Sequence, residues 1–248
     1  KIQVDEIVLY ESTLQGAFIG NCYAQDSSDR LSQIGQVSVL LEKKGVFTGS
    51  VILEAKRIGI RGQFDSDGSA ILNLQSPSGA PFKINLLLEN YLGAGLSVSG
   101  KITFSDGQET DFLCWVVAFD GKSSAFGLNG KVVNTVFQTE SGEFGHGFAR
   151  AKAASDGTLK FAGRLADGSI WTGSARVVKD EIQELRCPVA IPLTTVKSLL
   201  HGDLIISETE SLVLQSEVPM IWIRGANAKS NVFPEGIEEF VNARGSIW

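Results

Sequence analysis

The chain has 248 residues, of which 43% are hydrophobic and 20% are charged, and its net charge at pH 7 is -6. This composition supplies a buried core and excludes a disordered chain. The acidic balance and the scattered basic residues argue against nucleic-acid and anionic-membrane partners, which require a concentrated basic face. No apolar run approaches the roughly 18 residues of a membrane-spanning helix, so we expect no membrane insertion.

Residues 1–12 alternate polar and apolar side chains. The pattern predicts an extended segment, which either ends a preceding domain or adds a strand to a neighbouring molecule. The segment lacks the apolar centre of a signal peptide. Export would therefore depend on a signal that has been removed or that lies upstream.

Glycine punctuates the rest of the chain, with 27 Gly against 6 Pro, and short hydrophobic runs lie between the glycines. This pattern favours many short strands joined by tight turns. Asp-Gly dipeptides recur between the runs and tolerate the positive φ of two-residue hairpin turns. They lie at Asp67-Gly68, Asp106-Gly107, Asp120-Gly121, Asp156-Gly157 and Asp167-Gly168.

Polar and apolar residues alternate with period two between the turns, as in residues 36–41 and 47–53, which is typical of half-buried strands. The first half is predicted to contain strands near residues 14–25, 34–43, 46–54, 57–64, 69–75, 81–89, 95–105 and 109–119. The second half is predicted to contain strands near residues 126–138, 143–153, 157–165, 169–178, 182–191, 197–207, 211–224 and 237–247. Residues 233–243 also fit a short helix, but we favour the closing strand.

The two halves match each other in order, which indicates a duplication. The matched segments are residues 45–49 with 157–163, 81–86 with 188–193, and 99–104 with 201–206, each series ending in a strand with a tryptophan, Trp115 or Trp222. We therefore predict an all-β protein of two tandem antiparallel meander barrels of about eight strands each, at residues 13–121 and 122–248, since barrel closure removes exposed strand edges. A β-sandwich and one larger merged barrel are the alternatives.

The three cysteines, Cys22, Cys114 and Cys187, have no CxxC metal-binding spacing. Barrel closure would pair the first strand with the eighth and bring Cys22 near Cys114. A disulfide between them would close a loop of about 90 residues and stabilise the fold by about 4 kcal/mol. The alternative is a pair of reduced thiols buried as small apolar residues, and Cys187 has no partner in either case.

Three tryptophans, Trp115, Trp171 and Trp222, are candidates for stacking on a sugar ring or lining a ligand cavity. Trp115 and Trp222 occupy equivalent positions in the two halves and have apolar neighbours. That equivalence favours residues that fill the interior of a barrel.

Catalytic and metal-binding motifs are missing from the sequence, so we predict no catalytic, cofactor-binding or metal-binding residue and no enzymatic activity. His146 and His201 lack the spacing of metal ligands. His201 and Asp203 share a strand face without a nucleophile motif, although a cavity gathering them with Glu109 or Asp111 would revive a catalytic role. Residues 65–68 resemble the start of a calcium loop, but Leu74 stands where the loop requires glutamate.

The order of the glycine motifs resembles the glycine-rich β repeat modules found toward the C-terminal end of very large secreted or surface proteins of environmental Gram-negative bacteria. The residues that carry the resemblance are 45–49 (GVFTG), 64–68 (FDSDG), 163–168 (GRLADG), 202–204 (GDL), Trp222, 233–236 (FPEG) and 245–248 (GSIW). The segment 225–232 departs from the pattern. The resemblance implies a stalk, surface or attachment element, located extracellularly or at the cell surface, and implies no catalytic residues.

From these features we predict a non-catalytic extracellular structural or adhesive module, either part of a large surface protein or a filament-forming subunit. Its expected partners are other copies of itself or neighbouring modules of the same protein, together with glycans. The alternative is a small-ligand or glycan-binding β-barrel. Neither prediction includes a cofactor or a nucleic acid.

Overall fold

The structure is a computed structural model that describes residues 15–23, 34–91, 95–122, 126–142, 145–193, 197–208, 212–227 and 233–247. The predicted extended segment at residues 1–12 lies outside the described residues. Two compact units divide the chain, residues 1–116 and residues 117–248. The predicted boundary followed residue 121, but the Ala118 N–H donates to the Val177 carbonyl and so ties the intervening residues to the second unit.

The protein is all-β, as predicted, and its described residues form 18 strands joined by antiparallel ladders. The strands of the first unit are β1 (Gly16–Tyr23), β2 (Gly35–Leu41), β3 (Val46–Leu53), β4 (Lys56–Gln63), β5 (Ser69–Gln75), β6 (Pro81–Tyr91), β7 (Gly95–Phe104) and β8 (Glu109–Val117). Those of the second unit are β9 (Val132–Thr139), β10 (His146–Ala153), β11 (Thr158–Arg164), β12 (Ile170–Arg176), β13 (Val178–Lys179), β14 (Leu185–Leu193), β15 (Ser198–Ile206), β16 (Leu212–Ser216), β17 (Met220–Arg224) and β18 (Ile237–Ile247).

In the first unit, the first and last strands of the meander pair with each other. β1 pairs with both β2 and β8, and Ile19 lies opposite Trp115 in the β1–β8 ladder. The strand order that follows from the ladders is β4-β3-β2-β1-β8-β7-β6-β5. The predicted pairing of the first strand with the eighth is therefore present.

The strand pairing of the second unit differs, because an additional strand, β18, lies between β17, the strand that carries Trp222, and β9. β18 pairs with β9 on one side and with β16 and β17 on the other. This confirms the closing strand at residues 237–247 in place of a helix. The single strand predicted at residues 211–224 is wrong: the chain bends at Glu217 and Val218, and Pro219, which has no N–H to donate, separates β16 from β17.

The strand predicted from residue 126 also begins too early. The Asn129 N–H donates to the Phe126 carbonyl and the Lys131 N–H donates to the Leu128 carbonyl. Residues 127–130 therefore form turns, and β9 begins only at Val132.

Each unit has its own hydrophobic core, built from the side chains on one face of each strand. β10 shows the alternation clearly, since Gly147, Ala149, Ala151 and Ala153 are buried and the residues between them are exposed. Small inward side chains on β10 leave room for large aromatic rings from other strands. Trp171 fills part of that space, stacked on Phe161 with ring centroids 5.9 Å apart.

The Asp-Gly turns are not the two-residue turns that we predicted. In the β11–β12 hairpin the Gly168 N–H donates to the Leu165 carbonyl, the Leu165 N–H donates to the Ser169 carbonyl, and only Gly168 has positive φ. This is a type I turn followed by a glycine bulge, which also matches the twist of the paired strands. Asp167 has a negative φ, so it does not take the left-handed conformation that a two-residue turn would require. Its carboxylate instead accepts a hydrogen bond from the N–H of Ser169.

The same turn recurs at Gly68, Gly107 and Gly157. At Asp120-Gly121 the side-chain bond is present, since the Lys122 N–H donates to Asp120, but there is no hairpin. Asp-Gly therefore predicted where the chain turns, and the number of residues in the turn depended on the strand register.

Candidate functional site

The first unit has a break in its hydrogen-bonded sheet. β4 is paired along its whole length with β3, and β5 with β6, and these ladders end at β4 on one side and at β5 on the other. The two strands follow one another in the chain through the turn at residues 64–68. Their facing edges therefore leave backbone N–H and C=O groups available to another extended segment.

Half-buried aliphatic side chains lie along this break, which we call the β4–β5 opening. Ile58 of β4 and Leu72 and Leu74 of β5 are only partly buried and pack against the core. Leu72 reaches across the opening, because its Cδ2 lies 3.3 Å from the position that a Cβ on Gly62 would occupy. The Gly59 position, by contrast, has no atom within 4 Å of such a Cβ. The opening thus combines free strand edges with an apolar rim.

The charge of the two edges differs. β4 carries the exposed cations Lys56, Arg57 and Arg61, whereas β5 carries no charged residue. Basic residues on an edge strand oppose uncontrolled pairing with other chains. A segment with acidic residues would pair with β4 more favourably than a neutral segment, because its carboxylates would offset these positive charges.

The second unit has its break in the corresponding place, between β12 and β14, but its residues are buried. A Cβ on Gly173 of β12 would lie 2.5 Å from Cγ2 of Ile191 on β14, so the two strands meet through side chains. Ile191 and Trp171 are both buried there. The contact between these strands is thus made by buried side chains, whereas the aliphatic side chains at the β4–β5 opening are half-buried.

The interior beside Trp171 is tightly filled. About 150 Å³ remains between the side chains, and the space does not admit a water molecule. Its lining residues are Phe137, Phe161, Trp171, Val189, Ile191, Leu200, Leu204 and Met220. This space offers no binding cavity in the second unit.

The three candidate stacking tryptophans have different surroundings. Trp171 and Trp222 are fully buried, and Trp222 packs edge-on against Phe233 with ring centroids 6.3 Å apart. Trp115 is half-buried on the opposite face of β8 from the buried Phe112 and Cys114. The predicted core position of Trp115 is wrong, because alternation along β8 turns it away from the core. Trp171 and Trp222 are therefore core residues, while stacking of a ligand on Trp115 stays a prediction.

Cys22 and Cys114 lie on adjacent strands, as closure of the meander predicts. Cys22 is opposite Phe112 in the β1–β8 ladder, so Cys114 is its diagonal neighbour, and both are free thiols with no exposed surface. Diagonal neighbours lie about 7–8 Å apart, further than a disulfide reaches without backbone movement. The disulfide therefore stays a prediction, and the structure shows two reduced, buried cysteines.

Burial raises the pKa of all three thiols. For Cys114 the nearby Cys22 adds to the effect, and for Cys187 the nearby Asp203 does so. Thiols held in their protonated form are poor nucleophiles and poor metal ligands. These cysteines therefore act as core residues.

The acidic residues and histidines that we considered for catalysis lie in ordinary strand positions. Glu109 accepts a hydrogen bond from Lys101 at 2.6 Å, and this ion pair lowers the pKa of Glu109 and raises that of Lys101. Asp111 lies 4.0 Å from the same lysine. His201 is buried in β15, two residues before Asp203, while His146 is exposed in β10.

Among residues 15–247, within the ranges given above, no three or more His, Cys, Asp or Glu side chains are grouped to hold a metal ion. In the calcium-like segment, Asp67 instead accepts hydrogen bonds from the N–H and the hydroxyl of Ser69, which lower the pKa of Asp67. Over the same described ranges, no helix has the length and apolarity to cross a membrane.

A surface groove of about 580 Å³ crosses β5 to β8 in the first unit. Its outward-facing lining includes the exposed Ile71 and Leu87 and the charged Lys101 and Asp111. The remaining lining residues are Ser69, Ala70, Asn85, Leu86, Ser99, Gly100 and Phe112. The groove has the size of a small-molecule site and combines apolar with polar groups.

Sequence reasoning identified neither the β4–β5 opening nor the groove. One signal for the opening was available, since three cations within the eight residues of β4 are typical of an edge strand. The groove had no such signal, because its residues come from four strands and meet only through cross-strand register.

Comparisons with known proteins give no family. The chain matches no protein-family model and no curated protein. One solved structure, a protein with unknown function from the DUF3598 family of Nostoc punctiforme PCC 73102, aligns with 99% of this chain and 100% of its own. Its TM-score is 0.27 and its sequence identity is 8%, so the similarity is distant.

Proposed function

We propose that the protein is a non-catalytic extracellular structural or adhesive module that associates with other copies, or with neighbouring modules of the same protein, by strand addition at the β4–β5 opening. Each unit is then a meander barrel. In this proposal the β1–β8 and β9–β18 ladders join the first and last strands of each meander, and the β4–β5 opening is the gap that an added strand would fill. The opening is the observation that carries the proposal.

Strand addition fits the chemistry of the opening. An inserted strand would pair its backbone with the free edges of β4 and β5, and its apolar side chains would cover the half-buried Ile58, Leu72 and Leu74. Covering apolar surface stabilises association by about 25 cal/mol per Å². Main-chain hydrogen bonds to the inserted strand would provide affinity, and the contacts of its apolar side chains with the rim would fix its register.

Residues 1–12 of a neighbouring copy have the composition that such an edge accepts. Ile2 and Val4 alternate with polar residues, while Asp5, Glu6 and Glu11 complement the cations of β4. Opposite charges facing each other across strands stabilise pairing by about 0.2–1 kcal/mol each. The resemblance to repeat modules of large surface proteins supports the extracellular location.

The test is the assembly state of the full chain. Sedimentation velocity and negative-stain electron microscopy over a range of concentrations should show oligomers or filaments. Leu72→Lys, which places a charge in the apolar rim, should shift the chain to monomers, whereas the matched Ile182→Lys, at an exposed turn of the second unit, should not. A peptide of residues 1–12 in excess should compete with assembly. A chain that stays monomeric at every concentration, with or without the peptide, contradicts the proposal.

The groove across β5 to β8 favours a second candidate function, the binding of a small ligand or a glycan. The groove has a volume of about 580 Å³, and Ile71 and Leu87 lie there beside polar side chains. This size and this mixture suit one or two sugar rings. A glycan array with the wild-type chain and with Asn85→Ala tests this candidate. Binding that Asn85→Ala weakens supports it, and the absence of any binding by the wild-type chain rejects it.

A further inference from the structure

Four consecutive strands of the second unit contain no acidic residue, and three of them, β10 to β12, carry basic residues. β9 to β12 contain Arg150, Lys152, Lys160, Arg164 and Arg176 and no Asp or Glu, in a chain with 28 acidic and 22 basic residues. Arg176 is held by the carbonyls of Phe119 and Asp156. The other four are exposed.

The ladders bring these cations onto one outward face. Lys152 lies directly opposite Lys160 in the β10–β11 ladder, and Arg150 is two residues from Lys152 on the same face. Arg244 of β18 joins the face, because it pairs with Val136 of β9. Like charges directly opposite each other destabilise a ladder.

In the part of the chain that the structure describes, no carboxylate forms an ion pair with these exposed cations. Among the ion pairs of the described residues, none includes Arg150, Lys152, Lys160, Arg164 or Arg244. Arg164 donates only to the Gly168 carbonyl. The face thus holds a concentration of uncompensated positive charge that an anionic partner would neutralise.

Apolar side chains project from the same face. One cross-strand row runs from β12 to β18 through Ile170, Arg164, Phe148, Val136 and Arg244. Ile170, Phe148 and Val136 are 62%, 55% and 48% exposed. Neighbouring strands lie about 4.8 Å apart, so the row is roughly 19 Å wide. Two cations and three exposed apolar side chains therefore lie along one line of the surface.

We propose that this outward face of β9 to β12, with Arg244, attaches the protein to the surface of an anionic phospholipid bilayer. The cations would contact lipid headgroups, and Ile170, Phe148 and Val136 would enter the boundary between headgroups and acyl chains. Attachment of this kind combines electrostatic attraction with burial of apolar side chains, and no strand crosses the membrane.

The apolar row distinguishes a bilayer from other polyanions. Single-stranded nucleic acids stack on aromatic side chains, and Phe148 is the single aromatic residue of the row, beside two aliphatic ones. Acidic polysaccharides are polar throughout and would leave Ile170 and Val136 in water. A bilayer satisfies both the charges and the aliphatic side chains.

The test is flotation of the full chain with vesicles of phosphatidylcholine containing about one-third phosphatidylglycerol, against vesicles of phosphatidylcholine alone. The wild-type chain should bind the anionic vesicles, and less so as salt rises. Lys152→Glu with Lys160→Glu should reduce the binding constant at least 25-fold, at about fivefold per charge removed. Phe148→Ser with Ile170→Thr should reduce it by more than tenfold.

Matched control variants distinguish an effect of this face from an effect of the net charge of the whole chain. Lys43→Glu with Lys44→Glu makes the same charge change in an exposed turn of the first unit, and Ile182→Ser removes an exposed aliphatic side chain elsewhere; neither should alter binding. Equal binding by the face variants and these controls overturns the proposal. Binding to heparin or single-stranded DNA without binding to vesicles also overturns it and assigns the face to a soluble polyanion.

Discussion

Both units contain the turn sequence Asp-Gly-Ser, and its surroundings differ between them. Asp67 and Asp167 each accept the N–H and the hydroxyl of the following serine, at Ser69 and Ser169. Asp67 is otherwise in solvent, whereas the Asp167 side chain is 1% exposed and pairs with Arg224 of β17. One turn motif thus serves only to reverse the chain in the first unit and also fastens β17 in the second.

The closures of the two units show the same contrast. The first unit leaves β4 and β5 with a half-exposed rim, while the second buries Trp171 and Ile191 at the corresponding position and adds β18 before returning to β9. Duplicated sequence patterns therefore need not give equivalent surfaces. The difference leaves strand addition to the first unit and a filled interior to the second.

We expect the largest loss of stability from a substitution in the packed interior of the second unit. Trp171→Ala removes a buried indole that contacts Phe161 and Phe137, and we expect it to lower the free energy of unfolding by about 3–5 kcal/mol. Trp115→Ala removes a half-buried ring outside the core and should cost about 1 kcal/mol. Urea unfolding followed by far-UV circular dichroism measures both. Equal losses would contradict the different placement of the two rings.

Asp67 and Asp167 occupy the same turn position but differ in burial. Asp167→Ala removes the carboxylate that pairs with the buried Arg224. We expect the free energy of unfolding to fall by about 3 kcal/mol, which is at the lower end for a broken buried ion pair because the Arg224 side chain is 9% exposed. Asp67→Ala removes the same turn bonds in solvent and should change the midpoint of thermal unfolding little. If the two variants behaved alike, the Asp167–Arg224 pair would have no stabilising role.

Two glycines of the first unit test whether the β4–β5 opening is empty. A methyl group on Gly49 of β3 would collide with the Ser38 carbonyl of β2, so Gly49→Ala should cost about 1–3 kcal/mol. Gly59 of β4 has no neighbour within 4 Å, and Gly59→Ala should stabilise by about 0.5 kcal/mol because it restricts the unfolded chain. Differential scanning calorimetry compares them. A strongly destabilising Gly59→Ala would mean that the opening is filled.

The smallest expected effect concerns the buried thiols. Their pKa is raised above the ordinary value of 9.0, so above that pH the unfolded chain loses protons that the folded chain retains. The stability that each thiol contributes is therefore complete below pH 9 and falls as pH rises, by about 1.4 kcal/mol per pH unit for each group.

Cys22→Ala with Cys114→Ala should make the decline of unfolding free energy between pH 9 and 10.5 shallower than in the wild-type chain, and Cys187→Ala should have half that effect. Tyrosine and lysine titrations are common to all variants and cancel in the comparison. An unchanged slope in the double variant, together with a mass gain of two protons on reduction, would instead establish the Cys22–Cys114 disulfide.

Local patterns predicted most of the strands because period-two alternation and turn glycines act over a few residues. The strand at residues 69–75 and the closing strand at residues 237–247 have the predicted bounds. The break at Pro219 was missed, since apolar residues stand on both sides of it and we took the two runs as one strand. The orientation of Trp115 was missed because a one-residue difference in register reverses the face of every side chain.

The all-β class, the antiparallel meander and the approach of Cys22 to Cys114 could be predicted before the structure was known, since each follows from local alternation, turns and chain order. Which strand edges stay unpaired and which distant residues share a face depends on the pairing of the strands in the folded sheet. Lys152 and Lys160 are eight positions apart in a chain of net charge -6, yet the β10–β11 ladder places them side by side. Net charge sums over the whole surface, while a partner meets one face of it.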